Sequence, residues 1–178
     1  MATLTLLVTI IIGLVLAYLV YHYIHRLIIR RATAIVRNDA QQVTDQAMRN
    51  VLKQLVSEGW LASDQQTFTK SETVADVWGR GVMDFEYELP DGELTAAQLP
   101  NLRRPVNNAL GEYALANHIK RVKTDQPTFV VTDLWLFEQR LHIDIAYLVN
   151  EATIEYVQDL RKLNASQVDS SQSTNRAE

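Results

Sequence analysis

The feature that most constrains this chain is an apolar run near its N-terminus. The 21 residues from Leu4 to Ile24 include no Asp, Glu, Lys or Arg. A helix of this length spans about 31 Å, which matches the roughly 30 Å hydrocarbon layer of a bilayer. A cleaved signal peptide would begin with basic residues, whereas the N-terminal MATLTLL has none. We therefore expect residues 1–25 to form one uncleaved transmembrane anchor.

Aromatic and basic residues mark the end of this run. Tyrosine favours the headgroup layer, and arginines that follow a span place the following domain in the cytoplasm, with the N-terminus outside. In an alternative that stays open, the same arginines also hold anionic lipid headgroups. The expected membrane-interface residues are Tyr18, Tyr21, Tyr23, Arg26, Arg30, Arg31 and Arg37.

Composition excludes several classes of site. The chain has no cysteine, which rules out disulfides, thiolate nucleophiles, zinc–thiolate sites and iron–sulfur ligation. Its net charge of −4 argues against a nucleic-acid partner. No motif for a cofactor is present, and none is expected. A short outer end and a cysteine-free cytoplasmic domain fit a bacterial cell membrane.

The segment 26–59 combines the basic residues with a helical stalk. Apolar residues recur at helical spacing from Val36 through Val43 to Val51, and Gly59 is a plausible end of the helix. The pattern is too short and too rich in alanine for a coiled coil. Either this stripe packs on the chain's own domain, which we favour, or it pairs with a second copy to give a homodimer through the stalk.

The rest of the chain predicts a small α+β domain over 60–163, followed by a disordered tail over 164–178. About three antiparallel strands are expected, packed with helices. Ser71 is a candidate N-cap for a short helix, Asn101 for a second and Asn150 for a third. The main predicted elements are a strand at 82–89, a helix at 102–121, a hairpin turning at Glu138 and Gln139, and a helix at 151–163.

Residues 82–89, VMDFEYEL, alternate between apolar and acidic side chains. This period of two predicts a strand with one buried and one solvated face. The acidic row looks like a paired-carboxylate site, but a solvated strand face produces it without any function. We expect the acids Asp84, Glu86 and Glu88 to face water.

The hairpin holds the one group of residues in the sequence that is suited to catalysis or to binding a metal ion. A two-residue turn places Leu136 opposite Leu141, Leu134 opposite Ile143 and Thr132 opposite Ile145 on a core face. On the other face it pairs Trp135 with His142 and Asp133 with Asp144. Two carboxylates and an imidazole can bind a cation or transfer protons. A register slip of one residue would separate them, and a sheet face without a site is the preferred interpretation.

These patterns favour a non-enzymatic, single-pass membrane protein whose cytoplasmic domain binds another protein as an adaptor, scaffold or assembly factor. A membrane-tethered domain that binds a small ligand or acts as a sensor is the first alternative. A metal-dependent or acid–base hydrolase using Asp133, His142 and Asp144 is the weaker one. Apolar and aromatic side chains that cannot all enter one core are typical of interfaces. The candidate contact residues are Phe129, Val131, Trp135 and Phe137.

Overall fold

The structure is a computed structural model that describes residues 2–68, 71–74 and 81–174. Contacts divide the chain into two compact units, Met1–Asn38 and Asp39–Glu178. The elements, in chain order, are helix α1 (Ala2–Ser57), a short 3-10 helix (Ser63–Gln66), strand β1 (Ser71–Thr73), strand β2 (Asp84–Pro90), helix α2 (Leu99–Ala116), strand β3 (Phe129–Phe137), strand β4 (Arg140–Tyr147) and helix α3 (Glu151–Thr174).

The four strands form one antiparallel sheet in the order β1-β2-β4-β3. The α+β class is therefore confirmed, but the expected count of about three strands is one too low. The additional strand is β1, which pairs with β2 where we had expected a short helix capped by Ser71. A strand of three residues is too short to show a period of two, so the sequence pattern did not predict β1. The later part of that expected helix lies outside the described residues.

Helix α1 runs from Ala2 to Ser57 without a break. Between Gly13 and Gly59 the chain has neither proline nor glycine, so nothing in the backbone ends the helix earlier. The stalk stripe packs on the chain's own domain: the buried side chains of this part of α1 are Ala40, Thr44, Ala47, Met48, Val51, Leu52 and Leu55. The second unit accordingly begins at Asp39, inside the segment that we had assigned to the stalk.

One face of the sheet, here called the inner sheet face, forms the main core with α1 and α2. It consists of Phe85, Tyr87 and Leu89 from β2, Phe129, Val131, Leu134 and Leu136 from β3, and Leu141, Ile143 and Ile145 from β4. Helix α2 adds Leu102, Val106, Ala109 and Leu110. Burying one such aliphatic side chain contributes about 1.5–3 kcal/mol. This burial fixes the register of β2 and β4, because a slip of one residue would turn their acids inward.

The opposite face, the outer sheet face, is partly covered by α3. Ile154 and Val157 of α3 pack on Ala146 and Leu148. Asn150 begins the helix as predicted, since its Oδ1 accepts a hydrogen bond from the backbone N–H of Thr153 at 2.8 Å. This helix covers one end of the face and leaves the hairpin end open.

Two expectations need correction along α2 and α3. Helix α2 begins at Leu99, so Asn101 lies inside the helix and does not cap it. Helix α3 continues to Thr174, where we had expected a disordered tail from Asn164. Neither proline nor glycine occurs in 151–174, so no residue of that segment ends the helix.

Candidate functional site

A β-bulge in β3 decides which hairpin side chains share a face. The predicted pairs Leu136–Leu141, Leu134–Ile143, Trp135–His142 and Asp133–Asp144 are all present. The predicted pair of Thr132 with Ile145 is wrong, because the register shifts between Val131 and Asp133, and Val131 opposes Ile145 instead. The extra residue keeps Asp133 and Trp135 on the outer sheet face while sending Val131 to the inner one.

The bulge separates the four candidate contact residues into two pairs. Phe129 and Val131 are buried in the main core and present no surface. Trp135 is half-buried on the outer sheet face, and Phe137 at the end of the hairpin is 58% exposed. We call Trp135 and Phe137 the aromatic patch.

Five ionisable side chains share the outer sheet face near the aromatic patch, and we call them the polar cluster. In the sheet register, Glu86 lies opposite Asp144, and Asp133 lies opposite Asp144 from the other side. Residues directly opposite each other in an antiparallel pair point to the same face. The polar cluster consists of Asp84, Glu86, Asp133, His142 and Asp144.

His142 is held by a carboxylate and by aromatic rings. Its Nδ1 lies 2.6 Å from Oε1 of Glu86. Trp135 stacks on the imidazole with ring centroids 4.9 Å apart and an interplanar angle of 14°, and Phe137 meets it edge-on at 6.3 Å. Because a carboxylate oxygen only accepts, Nδ1 carries a proton, and when the ring carries no second proton its Nε2 presents a lone pair. That Nε2 atom is buried and has no hydrogen-bond partner within the described part of the chain.

Asp84 is fully buried, contrary to our expectation that the acidic row of β2 faces water. Helix α3 lies over this end of the sheet, which a single strand's alternation does not reveal. The Asp84 carboxyl accepts hydrogen bonds from the hydroxyls of Thr132, at 3.0 Å to Oδ2, and Tyr156. Burial nevertheless dominates and raises the pKa of Asp84 to about 6, because the charged form loses its hydration.

Asp144 is the most perturbed acid of the polar cluster. Burial, and secondarily the negative charges of Asp84, Glu86 and Asp133, raise the pKa of Asp144 to about 8. Its Oδ1 is buried and unpartnered among the described residues. At neutral pH this carboxyl is therefore largely protonated and electrically neutral.

Two arginines, Arg103 and Arg140, lie near the edge of the polar cluster. Arg103 of α2 approaches Oδ1 of Asp133 at 3.9 Å, but the same guanidinium donates to the carbonyl oxygens of Val131 and Thr132. Arg140 lies 3.3 Å from Glu88, one register step further toward the hairpin turn. Within the described residues, neither Asp84 nor Asp144 has an ion-pair partner.

The candidate hydrolase residues share a face but do not converge. His142 contacts Glu86, whereas Asp133 turns to Arg103 and to the backbone N–H of Leu134. Among the described residues, no group of three or more His, Asp or Glu side chains is arranged to hold a metal ion. Sequence reasoning missed Asp84, Glu86 and Tyr156 as members of this site. The alternation in β2 was visible, but the pairing of β2 with β4 was not.

The membrane-interface candidates all lie on α1. Tyr18 stacks on His22 and Tyr21 on His25, each pair one helical turn apart. Tyr18, Tyr21, Tyr23 and Arg26 are exposed, and Arg37 is half-buried. The side chains of Arg30 and Arg31 lie outside the described ones. By length and composition, Thr9–Arg26 is apolar enough to cross a membrane, with a mean hydropathy of 1.3, and an N-terminal signal sequence meets the same criterion.

A separate open cleft of about 750 Å³ lies between the end of α1 and the start of α2. Trp60, Pro105, Arg104, Glu58 and Glu112 are among the residues that line it. The cleft mixes one aromatic ring with charges of both signs.

No protein-family model, curated protein or solved structure matches this chain.

Proposed function

We propose that this chain is a single-pass membrane protein whose cytoplasmic α+β domain binds another protein as a non-enzymatic adaptor, scaffold or assembly factor. The observation that carries the proposal is the aromatic patch. Phe137 exposes a large apolar ring beside Trp135, on the part of the outer sheet face that α3 leaves open. Aromatic residues are enriched in the cores of protein interfaces, and tryptophan is among the commonest hot-spot residues.

The anchor has its own support. The apolar segment of α1 is followed by Arg26, Arg30, Arg31 and Arg37, and nothing basic precedes it. Such an asymmetry favours a cytoplasmic domain and an external N-terminus, and we propose a bacterial cell membrane as its location. A cysteine tag introduced near residue 170 and probed with a membrane-impermeant thiol reagent tests the orientation. Labelling in intact cells would contradict it, since a cytoplasmic tag reacts only after lysis.

The protein partner is tested by in-cell crosslinking of the full-length protein, followed by detergent purification and mass spectrometry. We expect a stoichiometric companion that Phe137→Ser greatly depletes. Leu115→Ser is the matched control, because Leu115 is an apolar residue on α2 that is 68% exposed, against 58% for Phe137, and is distant from the patch in sequence. Equal depletion by both substitutions, or recovery of this chain alone, would contradict the adaptor proposal.

A homodimer is a further outcome of the same experiment. From Ala40 to Leu55, the apolar stalk residues that would have formed it pack in the chain's own core. Ile35 and Val36 remain exposed on α1 and are the residues through which a second copy can pair. Crosslinks between identical peptides around residue 35 would identify that state.

A small-ligand or sensory domain is the second candidate, and the cleft beside Trp60 favours it. A ligand that binds only the folded state raises the midpoint of thermal unfolding. A panel of polar metabolites should then raise this midpoint for the unchanged protein and not for Trp60→Ala. The weaker hydrolase hypothesis predicts that Asp133→Asn and Asp144→Asn each abolish a measurable hydrolytic activity without unfolding the domain.

A further inference from the structure

We propose that the polar cluster binds a cationic nitrogen group, the guanidinium or ammonium of a partner's arginine or lysine side chain, at Asp144, Glu86 and His142. This inference rests on the proposed function, because it names the chemistry that the partner brings to the aromatic patch. Two independent observations, an imbalance of charge and a pair of unpartnered buried atoms, carry it.

The imbalance of charge is local. The polar cluster holds four acids, and the cation described beside it is Arg103, 3.9 Å from Asp133, while His142 donates from Nδ1 to Glu86. Asp84 has hydroxyl donors, whereas Asp144 lies among three other acids without an ion pair in the described chain. A cation placed there removes the repulsion that these acids exert on one another.

The unpartnered atoms point to the same chemistry. Asp144 is 7% exposed as a residue, and 11% of the His142 side chain is exposed, so Asp144 is more than nine-tenths buried and His142 nearly so. Oδ1 of Asp144 and Nε2 of His142 nevertheless have no hydrogen-bond partner among the described residues. With Nδ1 donating to Glu86, and Asp144 ionised, both atoms are acceptors. Guanidinium and ammonium groups carry several N–H donors and no acceptor, which complements them.

The edge of the site is open to solvent and carries an aromatic ring. The side chains of Glu86 and Asp133 are 33% and 66% exposed, so the acidic rim is open to solvent. At this rim Trp135 stacks one face of its indole on His142, and indole is the ring that cations favour most. No described group of acids and histidines has the convergence that a metal ion requires, which favours an organic cation.

Proton release accompanies binding in this proposal. Asp144 must lose its proton to pair with a cation, so affinity should increase as pH rises from about 6 to above 8. Other groups face or border the same space and titrate or carry charge. They are Asp84, Glu86 and Glu88 on β2, Asp133 on β3, Arg140 and His142 on β4, Arg103 on α2 and Tyr156 on α3.

The test uses the full-length protein in detergent micelles, with isotope-labelled histidine. Methylguanidinium is titrated while the ring resonances of His142 are followed by NMR, and N-methylurea serves as the uncharged probe of similar shape. We expect a saturable shift with methylguanidinium only, weakened about tenfold or more by Asp144→Asn. Asp125→Asn, an exposed acid on the loop before β3, is the matched control and should leave the affinity unchanged. Should Asp144→Asn unfold the domain, Glu86→Gln removes a charge from the same site.

The outcomes separate this inference from the proposed function. Equal shifts with both probes, no saturable shift, or no loss of affinity in Asp144→Asn would overturn the cation site. The crosslinking experiment can still recover a companion in that case, and the adaptor proposal then stands without it. Binding of methylguanidinium with no companion recovered would support the cation site, assign it to a free amine or guanidine compound, and remove the adaptor proposal.

Discussion

The hydroxyl group of Tyr156 on α3 hydrogen-bonds to the buried carboxyl group of Asp84 on β2. This contact connects the helix covering the outer sheet face to the most buried acid beneath it. Burial and the nearby Asp84 charge raise the pKa of Tyr156, so its hydroxyl stays protonated and able to donate. Helix α3 is thus attached to the sheet by a polar contact as well as by Ile154 and Val157.

Folding stability should fall as pH rises from about 4 to about 8. In the folded state the pKa values of Asp84 and Asp144 are raised to about 6 and about 8 from an ordinary 3.8, so the native state binds more protons than the unfolded state across this window. The free energy of unfolding therefore decreases with pH until both groups are ionised. Denaturant unfolding of the full-length protein between pH 5 and 8.5 measures this slope.

Asp144→Asn should flatten that slope, since asparagine keeps the shape and never ionises. We expect this variant to gain stability relative to the unchanged protein as pH rises from 5 to 8, by up to about 1.4 kcal/mol for each pH unit. Asp125→Asn should reproduce the unchanged slope. A slope that survives Asp144→Asn in full would show that other groups cause it.

Gly92→Ala should destabilise the domain by about 2–3 kcal/mol. Gly92 has a φ of +59°, and an added methyl group would overlap the side-chain amide of the buried Gln65. That amide donates to the carbonyl of Pro90 at 2.8 Å, so it has little freedom to move away. Thermal or denaturant unfolding of the two proteins measures the loss.

Gly111→Ala is the control for that substitution. Gly111 lies inside α2 with open space where a methyl group would be added. Alanine is the better helix former, so this variant should gain about 0.5–1 kcal/mol. Destabilisation by both substitutions would contradict the geometry given for Gly92.

Asn150→Ala should cost about 1–2 kcal/mol through the loss of the α3 cap. Its Oδ1 accepts from the N–H of Thr153, and its Nδ2 donates to the carbonyl of Gly81 at 2.7 Å. Hydrogen exchange of the first α3 amides should accelerate in this variant. Asn101→Ala supplies the comparison, because Asn101 is exposed inside α2, and it should be neutral or slightly stabilising.

Residues that favour a positive φ should stabilise the β3–β4 turn. Glu138 and Gln139 have φ values of +48° and +59°, a conformation in which asparagine and glycine are favoured. Replacing them with Asn and Gly should raise the free energy of unfolding by about 1 kcal/mol. Gln139→Val should lower it, because a β-branched side chain opposes that backbone conformation. Unfolding midpoints in urea compare the three proteins.

Much of the fold was readable from local patterns. The alternation in β2 and the two-residue turn at Glu138 gave strand faces and most of the hairpin register correctly. Helical spacing placed the stripe of α1, and Asn150 marked the start of α3. Each of these depends on residues adjacent in sequence or on one face of one element.

The failures all involve relations between distant segments or irregular backbone. The predicted pairing of Thr132 with Ile145 was wrong because a single sequence gives no reliable signal for a β-bulge. We expected the Asp84 side chain to face water because the alternation within β2 does not reveal that α3 packs over this end of the sheet. The contact of Glu86 with His142 depends on β2 pairing with β4, 56 residues apart in the chain. The site is built from such long-range pairs, which is why only part of it could be predicted.

The uninterrupted α1 has a practical consequence for proteolysis. Met48, Leu52 and Leu55 belong both to this helix and to the domain's core. A protease that cleaved the chain near Gly59 would therefore not release an intact domain. It would remove one wall of the core, and the released fragment should unfold and be degraded, so cleavage there would inactivate the protein irreversibly.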